Sequence, residues 1–444
     1  MHRMVASRLP RILVCICLAG WVPLVGCSSE RPVPADSAAS LSSEPNDSAL
    51  SESGADATDQ SSAETAFEPP MYEATAEQLL ASRLPAEEAA EGWVRLFDGH
   101  TFFGWAIAGK ANWRIKGQAI IVDDGSPCLL TTNSRWADFE LKCDYMADQD
   151  TDSGVFLRTV WQPTVEASDS IEVNLAPGDE SFPSGSLDRR PKSDLEEPPE
   201  VRKWHSLHIV CQGNSVHVRI DGQTTCRLES PDLPRQGAIG LQYQSGRIAF
   251  RDIRLREFDY ESLLDEELSQ WERSPEMDGE FRVDPSGALV VDGGKQQLES
   301  VEQFGDFTLL AEYRMKTADS NSGLFFRCIP GQEMMGYECQ INDEQIGGNP
   351  LEPADGGTGG IFRRQDARIV AGQVGQANTV VLTVRGPQFA SWVNGVQVSD
   401  VTDGRPPEEN PRRGLRLAPG TLMVQGHDET TWVEYRQLAV AEFP

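Results

Sequence analysis

Beyond residue 90 this 444-residue chain is written twice, and a duplication of that length constrains the fold more than any single motif. Ser153-Gly154-Val155-Phe156-Leu157-Arg158 matches Ser322-Gly323-Leu324-Phe325-Phe326-Arg327, and Asp138-Phe139 matches Asp306-Phe307. Ile220-Asp221-Gly222 matches Val393-Asn394-Gly395, and Phe250-Arg251-Asp252-Ile253 matches Tyr435-Arg436-Gln437-Leu438. The order is kept throughout, so the chain holds two copies of one domain, over 91–258 and 268–444. Residues 263–271 between them read as a short helical connector. Within each copy the apolar period is two. Phe139, Leu141, Cys143 and Tyr145 alternate with Glu140, Lys142 and Asp144, the pattern of a half-buried strand. Asp221-Gly222 and Asn394-Gly395 sit between such runs as tight hairpin turns. Short strands at this spacing predict an all-β protein with a two-sheet sandwich in each copy.

The first 90 residues belong to neither copy. Arg3, Arg8 and Arg11 precede an apolar run over 12–26 that is too short to span a bilayer, as in a secretory signal. The run ends Leu24-Val25-Gly26-Cys27-Ser28, which resembles a bacterial lipobox. Residues 1–26 are therefore expected to be a lipoprotein signal peptide and Cys27 the site of lipid attachment, ordinary cleavage beside an incidental Cys being the alternative. An exported protein, lipid-anchored in the cell envelope and facing the periplasm or the surface, is the expected location. Its only membrane contact would be the anchor. Residues 27–90 follow as a linker; between 31 and 90 there are 12 acids and 2 Arg, too little apolar surface to offset the entropy of ordering. Only 76–90 has the pattern of a short helix. The whole chain carries 39 Lys and Arg against 69 Asp and Glu, a net charge of -30, which excludes nucleic acid as a partner because a phosphate polymer would be repelled.

Six cysteines follow Cys27, and an even number in an exported chain permits disulfides. Cys328 and Cys339 lie on neighbouring strand candidates, while the matching positions in the first copy are Thr159 and Val173, so the two are gained or lost together. That pattern predicts a Cys328–Cys339 bridge pointing away from Arg327, Glu338 and Gln340. Cys211 with Cys226 and Cys128 with Cys143 are weaker pairings. No Cys or His spacing matches a structural zinc site.

Gly92-Trp93-Val94-Arg95-Leu96-Phe97-Asp98-Gly99, followed by Gly104-Trp105, resembles the opening of the 3-keto-disaccharide hydrolase family, also described as 3-keto-glucoside 1,2-lyase and 3-keto-2-hydroxyglucal hydratase domains. The resemblance continues in the second copy through Asn321-Ser322-Gly323-Leu324-Phe325-Phe326-Arg327, Tyr337-Glu338-Cys339-Gln340-Ile341-Asn342-Asp343, Thr358-Gly359-Gly360-Ile361 and Trp392-Val393-Asn394-Gly395. It implies a concanavalin A-like jelly-roll sandwich in each copy, with an oligosaccharide or glycoside bound on the concave sheet. Each copy departs from the pattern in its own way. The first has Ile171-Glu172-Val173-Asn174-Leu175 where the second has the Tyr-Glu-x-Gln motif, and the second lacks the Leu-Phe-Asp-Gly opening.

A ketone at C3 of a sugar acidifies the proton on C2, so a base and a cation suffice to start elimination of the C1 substituent. Glu338 is the candidate base, with Arg327, on the same face by strand parity, as the oxyanion partner. Gln340 would orient hydroxyls, and Asp343 is the second acid or an oxygen ligand for a divalent metal, the one cofactor the sequence leaves open. Arg158, Glu172 and Asn174 form the corresponding set in the first copy, with His205 a further acid/base candidate there. Trp105 and Trp392 are candidates for stacking on a sugar ring, and Arg363, followed by Arg364 after a Gly-rich loop, for closing over a ligand. The expected activity is hydrolysis of 3-keto-glycosides by C1–C2 elimination and hydration; the alternative is a noncatalytic, lectin-like glycan-binding protein of the same fold.

Overall fold

The computed structural model describes residues 72–161, 169–187, 190–274 and 277–443. The alternation read along Phe139–Ala147 is realised: Phe139, Leu141, Cys143 and Tyr145 enter one apolar core while Lys142 and Asp144 stay half-exposed. Each copy sets an eight-stranded antiparallel sheet against a five-stranded one, a jelly-roll sandwich. In the first, the larger sheet runs Arg114–Lys116, Ala119–Val122, Ile248–Glu257, Phe139–Ala147, His205–Gln212, Ser215–Ile220, Gln223–Glu229, with Val94–Arg95 also paired to Ile248–Glu257. The smaller runs Trp105–Ala108, Cys128–Thr132, Ala238–Tyr243, Gly154–Thr159, Ile171–Asn174.

The second copy repeats this order. Its larger sheet runs Glu280–Val283, Leu289–Asp292, Trp432–Glu442, Phe307–Met315, Asn378–Arg385, Gln388–Val393, Val396–Thr402, with Glu261–Ser262 alongside Trp432–Glu442. Its smaller sheet runs Trp271–Arg273, Gln296–Phe304, Gly420–Gly426, Ser322–Cys328, Tyr337–Ile341. The hairpin turns fall where the sequence put them: Asp221-Gly222 and Asn394-Gly395 all take positive φ (48°, 78°, 50° and 81°), a conformation that Gly, Asn and Asp tolerate best.

The two sandwiches share apolar and polar contacts. Trp392 of the second lies in the core of the first, its ring 5.5 Å from that of Trp136, and its indole N–H donates to the Arg95 carbonyl at 3.0 Å. Beside it Arg385 faces Glu257 at 3.7 Å, both wholly buried. Glu257 also accepts from the Ala137 N–H at 3.0 Å and the Thr308 hydroxyl at 2.8 Å, so the buried pair is hydrogen-bonded on both sides of the interface.

Two sequence readings need correction. The sequence reads as a disordered linker with at most one short helix over 76–90, whereas residues 72–90 form two helices that pack onto both sandwiches. Thr75 caps a helix at Ala76–Ala81 whose Leu79 enters the second core, and a helix at Ala86–Ala90 brings Ala89 against Leu84 and Trp93. The Leu84 N–H donates to Asn394 O at 2.9 Å, and Arg95 Nε to Ser82 O at 2.7 Å. The average composition of the acidic tract hides these few apolar anchors. Residues 263–271 contain no helix. Leu263, Leu268 and Trp271 have helix-like spacing, but they reach the second core from turns, and Trp271 opens a strand. Among the described residues no helix is long and apolar enough to cross a membrane. Cys27 and the leader lie outside the described residues.

Candidate active site

Tyr337–Ile341 is the edge strand of the second sandwich's smaller sheet, and it pairs with Ser322–Cys328 so that Gly323 faces Gln340, Leu324 faces Cys339 and Phe325 faces Glu338. Alternation sends Tyr337, Cys339 and Ile341 into the core, which leaves Glu338 and Gln340 on the opposite face. There they border a cleft of about 470 Å³, together with Asn321, Asp355, Arg363 and Arg412.

Glu338 lies flat over Gly323, where a Cβ would come within 2.7 Å of its Oε1. Among the described residues no group donates a hydrogen bond to its carboxylate. Burial pushes this carboxyl up to about 7, Arg412 pulls against that, Asp355 adds to it and Arg363 opposes it. The floor beside it is a closed polar knot: Asp355 Oδ2 accepts from Asn321 Nδ2 at 2.7 Å and from Gln340 Nε2 at 3.0 Å. Two amide oxygens along the cleft, Gln340 Oε1 and Gln425 Oε1, are buried without a donor. A molecule that brings hydroxyl groups would satisfy both. Phe362, half-buried, forms an aromatic wall, and its N–H donates to Glu338 O at 2.9 Å.

Of the residues expected from sequence, the cleft unites Glu338, Gln340 and Arg363. Arg327 is elsewhere. It sits at a β-bulge with φ +48°, where the register against Gly420–Gly426 shifts, so the parity that put it beside Glu338 is broken. Its guanidinium is fully buried and donates to Asp306 Oδ1 at 2.6 Å and to the carbonyls of Gly386 and Arg416 at 2.6 and 3.1 Å. Arg158, φ +50°, is held the same way by Asp138 Oδ1 at 2.6 Å and by the carbonyls of Ala137, Gly213 and Pro234. Neither lines the cleft.

Asp343 points between the sheets, where the hydroxyls of Tyr313 and Thr358 donate to it at 3.2 and 2.7 Å. Burial pushes its carboxyl up to about 6. Among the described residues no cluster of three or more His, Cys, Asp or Glu is placed to hold a metal ion. Trp105 and Trp392 are core residues, Trp105 donating to Leu96 O at 2.5 Å, so neither can stack on a sugar. His205 lies on the larger sheet of the first sandwich, between Asp221 Oδ2 at 2.6 Å and Glu200 O at 2.8 Å.

In the first sandwich Glu172 faces Phe156, as Glu338 faces Phe325, and lies against Gly154. Its neighbour Asn174 spends its amide N–H₂ on the Phe182 carbonyl. The predicted disulfide is absent. Cys328 and Cys339 are free thiols, as are Cys128, Cys143, Cys211 and Cys226. Cys339 faces Leu324, four residues from Cys328 and so about 13 Å away along the strand, beyond any bridge. The bulge also turns Cys328 to a cluster with Phe325, Met334 and Met423, away from the core that holds Cys339.

Asp355, Asn321, Phe362 and Arg412 were not assigned roles from sequence. Asp355 sits in a Gly-rich loop with φ +45°, and the Ala354-Asp355-Gly356-Gly357 run was its one local signal, since short Asp tolerates that conformation. Arg412 arrives from a distant loop and leaves no local trace.

The sequence matches the family model of the 3-keto-alpha-glucoside-1,2-lyase-like domain twice, over residues 92–256 and 259–441. The chain belongs to this family. As a member of the 3-keto-alpha-glucoside-1,2-lyase-like family it is a carbohydrate-active protein. No curated protein sequence matches it. Among solved structures, a protein of Parabacteroides distasonis ATCC 8503 with a provisional glycosyl hydrolase description is similar at 16% identity, over 40% of this chain and 99% of that one, with a TM-score of 0.35. The carbohydrate-binding module CBM66 of Bacillus subtilis is similar at 14% identity over 35% of this chain and 96% of that one, TM-score 0.28. The β-glucanase of Bacillus licheniformis is similar at 12% over 35% and 92%, TM-score 0.28.

Proposed function

We propose that the second sandwich of this family member cleaves 3-keto-glycosides by elimination and hydration, with Glu338 as the proton carrier. The observation that carries the reading is the Glu338 carboxyl: buried in a cleft, without a hydrogen-bond donor among the described residues and pushed up to about 7, it can both take and return a proton near neutrality. Glu338 removes the C2 proton, and the C–H electron pair delocalises into the C3 ketone as an enolate. Arg412, the strongest opposite charge acting on Glu338, lies where it would offset that negative charge. When the enolate collapses, the C1–O bond breaks and the protonated Glu338 returns its proton to the departing oxygen. Water then adds to C1 of the enone while C2 regains a proton, completing net hydrolysis. Gln340 Oε1 and Gln425 Oε1 accept from sugar hydroxyls, and Phe362 offers the apolar wall.

The test is product release from a chromogenic 3-keto-glucoside by the full chain, by Glu338→Gln and by Glu172→Gln, repeated with chelator and with added divalent metal. Turnover should vanish in Glu338→Gln and persist in Glu172→Gln. Sugar binding without turnover in every protein would replace this reading with lectin-like binding. The lipobox supports an exported, lipid-anchored protein, and fatty-acid labelling that disappears in Cys27→Ser checks it.

A further inference from the structure

The wall of the cleft opposite the Asp355 knot is cationic. Arg363 and Arg412 line it, and with Arg364 they border an adjoining crevice of about 30 Å³ between Tyr337, Phe362 and Pro411. The chain carries 69 acids against 39 basic side chains, and arginines close by have found partners, Arg405 on Asp403 at 2.7 Å and Arg416 on Glu409. Among the described residues Arg363, Arg364 and Arg412 pair with no carboxylate. Arg364 is spent on carbonyls, those of Arg363, Pro411 and Arg412. Arg412 uses one nitrogen, on Met334 O at 2.6 Å. Among the described residues the Arg363 guanidinium makes no hydrogen bond; the side chain is exposed, its backbone held at φ +58° and its guanidinium 5.1 Å from the centre of the Phe362 ring.

Three clustered guanidiniums repel one another, and burial together with the neighbouring Arg405 pulls Arg364 below the usual arginine range. Offsetting one enolate needs a single cation. The remaining cations feel Glu338 and Asp403 only at a distance and form no ion pair among the described residues, a condition in which a docked anion gains direct charge-assisted contacts.

We infer that Arg363, backed by Arg364 and Arg412, binds an anionic substituent of the glycan, a uronic-acid carboxylate or a sulfate ester, while the neutral hydroxyls of the same sugar chain face Gln340 and Gln425. The inference rests on the reading of this cleft as the glycan site. Fork-shaped guanidinium groups suit both oxyanions, and the Phe362 ring lies 5.1 Å from the Arg363 fork.

Calorimetric titration of the full chain with cellobiose, cellobiouronic acid and cellobiose 6-sulfate tests it, since binding is read without any turnover. At least one of the two anionic sugars should bind about tenfold more tightly than cellobiose, and which one does so identifies the substituent. Arg363→Gln should bring all three within about threefold of each other, while Arg363→Lys keeps part of the preference. Arg363 is exposed, so both variants should melt as the parent does. Equal affinity for the three sugars, absence of binding by all of them, or a preference that survives in Arg363→Gln would each overturn the inference. Preference for an anionic sugar without turnover of any 3-keto-glucoside would instead leave this subsite standing and remove the catalytic reading.

Discussion

Arg327 is bound to Asp306 at 2.6 Å on the far side of a β-bulge from the cleft, and Asp306 also accepts the Gly386 N–H at 3.0 Å. Asp138 holds Arg158 and the Gly213 N–H in the same way in the first sandwich. One charged clasp, repeated, ties the bulge to the neighbouring loops in both copies. Asp306 is half-exposed and keeps its water, so the loss in Arg327→Ala comes from the emptied volume and from the Gly386 and Arg416 carbonyls left without a donor, on the order of 3 kcal/mol of stability. The turnover per folded molecule should stay near that of the parent. Chemical denaturation alongside active-site-normalised kinetics separates the two; a large fall in kcat with unchanged stability would return Arg327 to the chemistry.

Glu338 has a folded value of about 7 against an ordinary 4.5. Between those values the folded protein holds a proton that the unfolded chain has released, so stability is fully present below about pH 4.5 and is lost as pH rises to about 7. Asp343, pushed up to about 6, acts in the same direction, so the shape of the parent curve alone does not isolate Glu338. The difference between parent and Glu338→Gln does. It should change by roughly 3 kcal/mol between pH 4.5 and 8. As a base, Glu338 must be ionised, so kcat should rise with pH through about 7.

Gly323→Ala places a methyl group 2.7 Å from Glu338 Oε1 and 3.0 Å from the Phe325 ring. The carboxylate has room to move into the cleft, so the fold should survive while the base is displaced, with about a hundredfold loss in kcat. Gly154→Ala, which crowds Glu172 at 2.6 Å, should leave turnover intact. Equal losses in both variants would assign the chemistry to both sandwiches.

Burial pushes the Cys339 thiol up to about 12 and the Cys328 thiol well above the ordinary range. Both should resist alkylation in the folded protein and react singly after unfolding without reductant. A Cys328–Cys339 cross-linked peptide in a nonreducing digest would show the arrangement to be wrong.

Alternation along Tyr337–Ile341 was enough to place Glu338 and Gln340 on one face, because nothing interrupts that edge strand. The same counting fails one strand earlier. Arg327 carries its left-handed backbone inside a run that reads as plain strand, and the glycine that makes room for it, Gly420, stands far away in sequence, where a Cβ would meet Cys328 O at 2.2 Å. The place of Trp105 and Trp392 is open in the sequence for a related reason. An aromatic side chain has the same sequence signature in a core, an interface or a sugar site, and only the packing of Trp392 on Trp136 tells them apart. Asp355 and Arg412 meet Glu338 through loops, where period carries no information.

A duplicated domain usually brings redundancy, one copy being free to decay while the other works. The indole of Trp392, seated in the first sandwich's core, removes that insurance. Damage to the first sandwich, which need perform no chemistry, would spread through Trp136 into the framework that holds Glu338. The first copy thereby serves as scaffolding for the second, and loosening it would loosen its twin.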